Sequence, residues 1–338
     1  MFGLKSECVL KVDEEFHDLE EYQGRVARWC PGCGDNGILA ATQRLCRDEQ
    51  LPPEKTVFVS GIGCAARFPH YMGTYGFHGL HGRALPTAQG VKIRRPDLKV
   101  FVNMGDGDCC SIGTAHWIHA VRMNMNMVAM LHDNNIYGLT KNQVSPTTPL
   151  GMTTATTPHG SVLAAMNPLA VTLGITNVSF VAQAVEWVPD LLYQVIRAAY
   201  QHKGFAFVRI LQRCPHFMPT LFDSLLSNPD NIMVLDSDDG VKLSEATAKV
   251  YKTREPHDTA DLNLAREVAG TEGKVPVGIL YRNESVPCYD ELRKPARLHT
   301  PELARTVLDR AFDRFGIFPG ASGTRHGTGD ETDRRTDA

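Results

Sequence analysis

Residues 99–138 constrain the fold more than any other stretch of this chain. A strand-like run, "KVFVNM" (99–104), ends in the glycine turn "GDG" (105–107). A helical pattern follows over 111–124, then a second apolar run, "MVAMLH" (127–132), closing in "DNNIYG" (133–138). Short β-branched and aromatic runs that end in glycine turns behave as buried parallel strands. A strand–helix–strand crossover returns the chain to the same sheet edge. Asp106 and Asn134 are therefore expected together at the C-terminal edge of a parallel sheet.

The residue types at that edge point to a particular chemistry. The Asp106 carboxylate, the Asn134 amide oxygen and a nearby backbone carbonyl, that of Ile136, are hard oxygen ligands suited to Mg²⁺. Gly105 and Gly107 let the backbone approach a phosphate, and a helix starting at Ser111 directs its positive end toward the same place. A lone GDG is a common turn. GDG and Asn134–Asn135 separated by residues 108–133, with a helix and a strand between them, resemble the thiamine diphosphate-binding pattern.

The same alternation extends in both directions. "TVFVS" (56–60) reads as a strand and "GFAFVRILQRC" (204–214) as another, with Cys214 at its end. Helical spacing appears at 36–49, 161–174 and 183–202, the last with a possible break at Pro189. The fold class expected is α/β, a parallel sheet with helices on both faces. Residues 1–227 form the expected binding domain, 228–318 a charged C-terminal arm or extension in which "VPVGILYR" (275–282) adds a strand, and 319–338 a disordered tail. Residues 133–160 are too long and polar for an idle connection and read as a binding loop.

A second glycine turn, "SGIGCAA" (60–66), matches G-x-G-x-x-A after a strand. A dinucleotide site would continue into a helix and place an acid about 20 residues on to bind ribose. Phe68–Pro69 interrupts that helix, and no acid stands where one is needed. The turn is then notable for Cys64.

Composition narrows the partners. The 338 residues carry a net charge of −3, with no basic footprint for nucleic acid. The N-terminal "MFGLKSECVLKVDEEFHD" has no apolar h-region, and no stretch approaches the roughly 18 apolar residues of a membrane helix. A cytoplasmic protein without a membrane segment is expected. Nine cysteines are an odd number for a reducing compartment, so metal or redox chemistry gains weight over disulfides. Cys30 and Cys33 lie three apart in "CPGCG", a spacing that serves a redox dithiol, half a zinc ribbon or half an iron–sulfur site equally well.

With these motifs in order, the chain resembles the β subunits of the 2-oxoacid:ferredoxin oxidoreductases. "CPGCG", "SGIGC", "GFHGLHGRALPTAQGVK", "GDGD" and "IYGLTKNQVSPTT" carry the resemblance over roughly residues 20–225. It implies thiamine diphosphate, Mg²⁺ and one [4Fe–4S] cluster as cofactors. The cluster ligands it implies are Cys30, Cys33, Cys64 and Cys214; four thiolates satisfy such a cluster. Asp106, Asn134 and the Ile136 carbonyl would hold Mg²⁺, with Gly105, Gly107, Asp108 and Thr140 at the diphosphate. Arg67 and Lys141 match cationic positions facing the 2-oxoacid, and Arg67 could read the distal carboxylate of 2-oxoglutarate. His81 could contact substrate or diphosphate.

The implied activity is CoA-dependent oxidative decarboxylation of 2-oxoglutarate, or the reverse carboxylation, with electrons passing through the cluster to ferredoxin. Pyruvate or a broader 2-oxoacid range is the alternative substrate reading, and a non-redox thiamine diphosphate decarboxylase subunit the alternative chemistry. A scaffold module that has lost catalysis is disfavoured by the intact Asp106, Asn134 and Lys141. No second βαβ domain is available here to bind the aminopyrimidine ring and supply its glutamate. The resemblance therefore implies that an α subunit provides that domain, in an (αβ)₂ heterotetramer.

Overall fold

A computed structural model describes residues 16–293 and 301–315. The sheet strands in chain order are β1 (Thr56–Ser60), β2 (Tyr75–His78), β3 (Lys99–Gly105) and β4 (Met127–Asp133). Two short strands, β5 (Ile136–Tyr137) and β6 (Gln143–Val144), pair only with each other as an antiparallel hairpin. They are followed by β7 (Phe180–Val185), β8 (Phe205–Leu211), β9 (Ile232–Asp236), β10 (Arg254–Pro256) and β11 (Val275–Arg282). Nine strands form one sheet in the order β10-β9-β11-β7-β8-β4-β3-β1-β2. Every pairing is parallel except β11 with β7.

The strands are apolar along their whole length because both faces are covered. Side chains alternate across the sheet with period 2, so Val57 and Val59 enter one core while Phe58 enters the other. Val100 and Val102 likewise part from Phe101. Phe58 and Phe101 stack across neighbouring strands with ring centroids 4.9 Å apart. Both are fully buried, and truncating either to alanine costs about 3–5 kcal/mol by the usual cavity argument. The helices Asp35–Asp48 and Pro189–Gln201 cover the Phe58 face, with Ile38, Leu45 and Ile196 inward. The helices Ala84–Arg94 and Thr114–Met123 cover the other face with Leu85, Trp117 and Val121. The α/β expectation is met.

Several boundaries differ from the sequence reading. Residues 183–202 are not one helix: β7 ends at Val185 and the helix begins at Pro189, whose missing N–H costs nothing at a first helical position. Within 161–174 only Pro168–Leu173 is helical, because the Asn167 side chain accepts from the Leu169 and Ala170 amides and caps it there. The segment from 228, expected as an arm, supplies β9, β10 and β11 to the common sheet. Its apolar runs are short, "IMVL" at 232–235 being one, and the charged residues between them conceal them in the local average. Residues 16–293 form one compact unit. In the second, the helix Pro301–Phe315 exposes Val307, Leu308 and Phe312. The expected tail at 319–338 lies outside the described residues. Among the described residues no helix is long and apolar enough to cross a membrane.

Candidate active site

Parallel strands deliver their following loops to one edge. The Gly61–Ala66 turn leaves β1, Asp106–Asp108 follow β3, Asn134–Tyr137 follow β4, and Cys214 follows β8. Between them lies a cavity of about 160 Å³. Its walls include Gly105, Asp106, Gly107 and Asp108 from one turn and Asn134, Ile136 and Thr140 from another. His81 and Cys64 complete the residues expected there that the cavity brings together.

Asp106 is 2% exposed, and burial reinforced by the neighbouring Asp133 pushes its carboxyl up to about 7. Its Oδ2 accepts hydrogen bonds from the Ser145 and Thr147 hydroxyls, the latter at 2.8 Å. The Thr147 hydroxyl also lies 2.7 Å from Asp133 Oδ1, and Asp133 pairs with Arg209 at 2.7 Å. Ser145 and Thr147 stand in the polar loop "QVSPTT", where sequence reading saw a binding loop without picking them out.

The turn that follows β3 is tightly built. The Tyr137 hydroxyl donates to the Gly107 carbonyl at 3.0 Å, and a Cβ on Gly107 would fall 2.1 Å from the Tyr137 ring. Asp108 Oδ1 accepts from the Gly82 amide at 2.6 Å, from His81 Nδ1 at 2.7 Å and from the Ile62 amide at 3.3 Å. Burial raises the Asp108 carboxyl above the usual range against those donors. Asp108 Oδ2 is buried without a partner among the described residues. A carboxylate so engaged ties the Gly61 and Gly82 loops to the GDG turn; beside a diphosphate its own charge would repel.

These features fit a metal–diphosphate ligand. A buried carboxylate held by hydroxyls with no cation paired to it among the described residues, an amide oxygen, a backbone carbonyl and a glycine turn without side-chain bulk are what hard-cation and phosphate binding need. The remaining expected residues stand apart from the lining. Arg67 donates to the Arg28 carbonyl at 3.1 Å and lies over the Tyr71 ring. Lys141 is exposed, with φ +72° in a turn whose amide donates to the Gly138 carbonyl at 3.1 Å.

The cysteines of the CPGCG turn reach the same edge. Trp29 Nε1 donates to the Cys64 carbonyl at 2.8 Å, and the Gly34 amide donates to the Arg213 carbonyl at 3.1 Å. These two bonds bind the turn to the exits of β1 and β8. A Cβ on Gly138 would lie 3.6 Å from Cys64 Sγ and 3.9 Å from Cys214 Sγ, so those thiols flank one backbone position. Burial, Asp35 and the facing Cys214 and Cys30 thiols push the Cys64 thiol up to about 12. Burial and Asp35, with Cys64 and Cys214, push Cys33 up as well.

All four thiols are free, Cys30 exposed and the other three half-buried. Among the described residues no three His, Cys, Asp or Glu side chains converge as the ligands of one metal ion would. Each thiolate of a [4Fe–4S] cluster binds a different iron, so its ligands need only surround a volume.

Sequence reasoning also passed over Asp35 and His132. Both are buried; their Oδ1 and Nδ1 are 2.7 Å apart, and His132 lines the cavity. The signal available was position alone, Asp35 directly after CPGCG and His132 directly before "DNN".

Comparison with known proteins agrees with this geometry. Residues 61–210 match the family described as thiamine pyrophosphate enzyme, C-terminal TPP binding domain. Residues 247–297 match the family of the C-terminal part of the pyruvate ferredoxin oxidoreductase beta subunit. The chain is 49% identical over 198 residues to the 2-oxoglutarate oxidoreductase subunit KorB of Mycobacterium tuberculosis, covering 59% of this chain and 53% of that protein. It is 36% identical over 278 residues to the 2-oxoacid:ferredoxin oxidoreductase subunit beta of Saccharolobus solfataricus, covering 81% of this chain and 88% of that one. Among solved structures it is similar to the 2-oxoglutarate:ferredoxin oxidoreductase from Magnetococcus marinus with 2-oxoglutarate, coenzyme A and succinyl-CoA bound. That similarity has a TM-score of 0.72 and 36% identity, over 92% of this chain and 95% of the other.

Proposed function

Because this chain belongs to the β subunits of the 2-oxoacid:ferredoxin oxidoreductases, we propose that with an α subunit it oxidatively decarboxylates 2-oxoglutarate, or runs the reverse carboxylation. The balanced reaction takes one 2-oxoacid, one coenzyme A and two oxidised ferredoxins. It yields one acyl-CoA, one CO₂, one proton and two reduced ferredoxins. Thiamine diphosphate, when bound, supplies the carbanion nucleophile and electron sink for this chemistry.

The chain's own residues divide the remaining work. Asp106, the Asn134 side-chain oxygen and the Ile136 carbonyl hold Mg²⁺. Gly105 and Gly107 admit the diphosphate, and Thr140 lines the same cavity. Asp108 orients His81 and anchors the Gly61 turn. Cys30, Cys33, Cys64 and Cys214 would hold a [4Fe–4S] cluster, which when bound would supply one-electron chemistry.

One observation carries this reading: Cys64 lines the same cavity as Asp106 and Asn134. A cluster ligand in the cofactor wall keeps electron transfer short, whereas a non-redox decarboxylase has no use for a thiol there. Arg67 is near enough to oppose part of the burial-driven rise of the Cys64 thiol and, with Lys141, supplies cations for the substrate carboxylates. The carboxylates that line the cavity among the described residues are Asp106 and Asp108, both on the diphosphate turn. The acid that serves the aminopyrimidine ring therefore comes from the α subunit, in an (αβ)₂ assembly. The free cysteines suit a reducing cytoplasm.

Anaerobic purification with the α subunit tests this. Iron, sulfide and thiamine are counted, and 2-oxoglutarate is assayed against pyruvate. Four irons assignable to this chain and lost on Cys214→Ala, with 2-oxoglutarate preferred, are expected. One zinc and no visible absorbance overturns the cluster; preference for pyruvate overturns the use of Arg67.

A further inference from the structure

One buried side chain touches both halves of the site. Gln212 follows β8 and is 1% exposed. Its backbone amide donates to the Asp133 carbonyl at 2.9 Å, which fixes the backbone beside β4. Its side-chain Nε2 lies 2.6 Å from the Arg213 carbonyl and 3.2 Å from Cys33 Sγ, and its Oε1 accepts from Asn134 Nδ2 at 2.9 Å.

The orientation of these amides is determined at both ends by backbone groups. The Arg213 carbonyl can only accept, so the Gln212 atom facing it is the NH₂. Oε1 is then directed at Asn134, which must present its own NH₂. That turns Asn134 Oδ1 the other way, where the Ile136 amide donates to it at 3.2 Å. Asn134 thus has its oxygen, rather than its nitrogen, available as a hard ligand. Room for Gln212 comes from Gly34, where a Cβ would meet Gln212 Cγ at 2.9 Å.

We infer that Gln212 is a positioning residue that couples the two cofactor sites, orienting the Asn134 oxygen toward Mg²⁺ and donating an N–H to the Cys33 sulfur of the cluster. The inference rests on the proposed Mg²⁺ and cluster ligands. The Cys33 sulfur also meets Asp35, whose Oδ2 at 3.7 Å can accept from a thiol and whose backbone amide donates to the sulfur. Once iron replaces the thiol proton, the Asp35 amide and Gln212 remain as donors, Gln212 being the side-chain one. A donor on a cluster sulfur stabilises the added electron and so raises the reduction potential. The chain Cys33–Gln212–Asn134 joins a cluster ligand to a metal ligand through a single side chain.

Two variants of the α–β holoenzyme separate the two contacts. Gln212→Glu keeps an acceptor for Asn134 and loses the donor to sulfur. Gln212→Leu loses both. The cluster potential is read by potentiometric titration of its EPR signal, and thiamine diphosphate–Mg²⁺ affinity by equilibrium binding to cofactor-stripped protein. The expected result is a more negative potential in both variants. Cofactor affinity should stay within about twofold in Gln212→Glu and fall about tenfold or more in Gln212→Leu, as for other residues that orient a metal ligand. An unshifted potential in Gln212→Glu, or unshifted affinity in Gln212→Leu, overturns the inference. In the wild type, ¹⁵N-glutamine labelling should give a nitrogen hyperfine coupling on the reduced cluster, and its absence overturns the sulfur contact even if Gln212→Leu does not assemble. Iron and sulfide counts on the same wild-type preparation report separately whether the cluster reading itself fails.

Discussion

Asp35 and His132, 97 positions apart, meet through a 2.7 Å hydrogen bond where neither side chain is more than 1% exposed. The bond ties the residue after the CPGCG turn to the end of β4. On its other side the His132 ring nitrogen Nε2 lies 3.0 Å from the Asn103 amide nitrogen, and Phe68 packs edge-on against the ring. Asp35→Ala leaves a buried ring N–H without its acceptor, a loss of about 1–3 kcal/mol. Thermal unfolding should show a clear drop for Asp35→Ala and a smaller one for Asp35→Asn, which keeps an acceptor. Equal melting of wild type and Asp35→Ala would rule this out.

The Thr147 hydroxyl has one proton and two carboxylate neighbours, Asp106 and Asp133. It fixes the orientation of the Asp106 carboxylate, the proposed Mg²⁺ ligand. Thr147→Val should weaken Mg²⁺ binding on the order of tenfold, with activity recovering at high Mg²⁺. Thr147→Ser should restore most of the affinity. A Mg²⁺ titration of activity distinguishes this from a loss that no metal concentration repairs.

Two glycines of one turn should fail differently. At Gly107 a methyl collides with the Tyr137 ring, which cannot leave without giving up its bond to the Gly107 carbonyl. At Gly105 a methyl meets no protein atom within 4 Å, and Gly105 lines the cavity. Gly107→Ala is expected to lower the stability of the cofactor-free protein. Gly105→Ala should melt like wild type without cofactor and bind thiamine diphosphate more weakly. The reverse pattern in paired melting and binding curves would refute the assignment.

His202 is 3% exposed, and burial with the nearby Arg282 charge pushes its pKa down to about 4 from 6.5. Between those values the unfolded chain takes up a proton that the folded chain refuses. Stability therefore falls as pH drops through that window, by about 3 kcal/mol at most. His202→Asn removes this contribution, so its stability measured by denaturant unfolding should decline less from pH 7 to pH 4 than that of wild type. Parallel acid limbs would show that His202 does not carry it.

The features legible in the chain before folding are local and periodic. The apolar runs at 56–60, 99–104, 127–132 and 275–282 stand where strands form, because residues two apart share a face and both faces here are buried. The crossover between β3 and β4 obliges Asp106 and Asn134 to share an edge whatever the rest of the chain does. The tertiary structure alone decided which distant loops meet that edge. Strand order sets β8 beside β4, and only that adjacency brings Gln212 to Asp133 and Asn134. Thr147 reaches Asp106 across 41 positions through a hairpin whose strands are two residues long, too short to leave a periodic signal. Of the three strands after residue 228, β9 and β10 were hidden for a related reason. Their place comes from pairing with each other and with β11, and pairing is a property of the sheet, which no window of sequence contains.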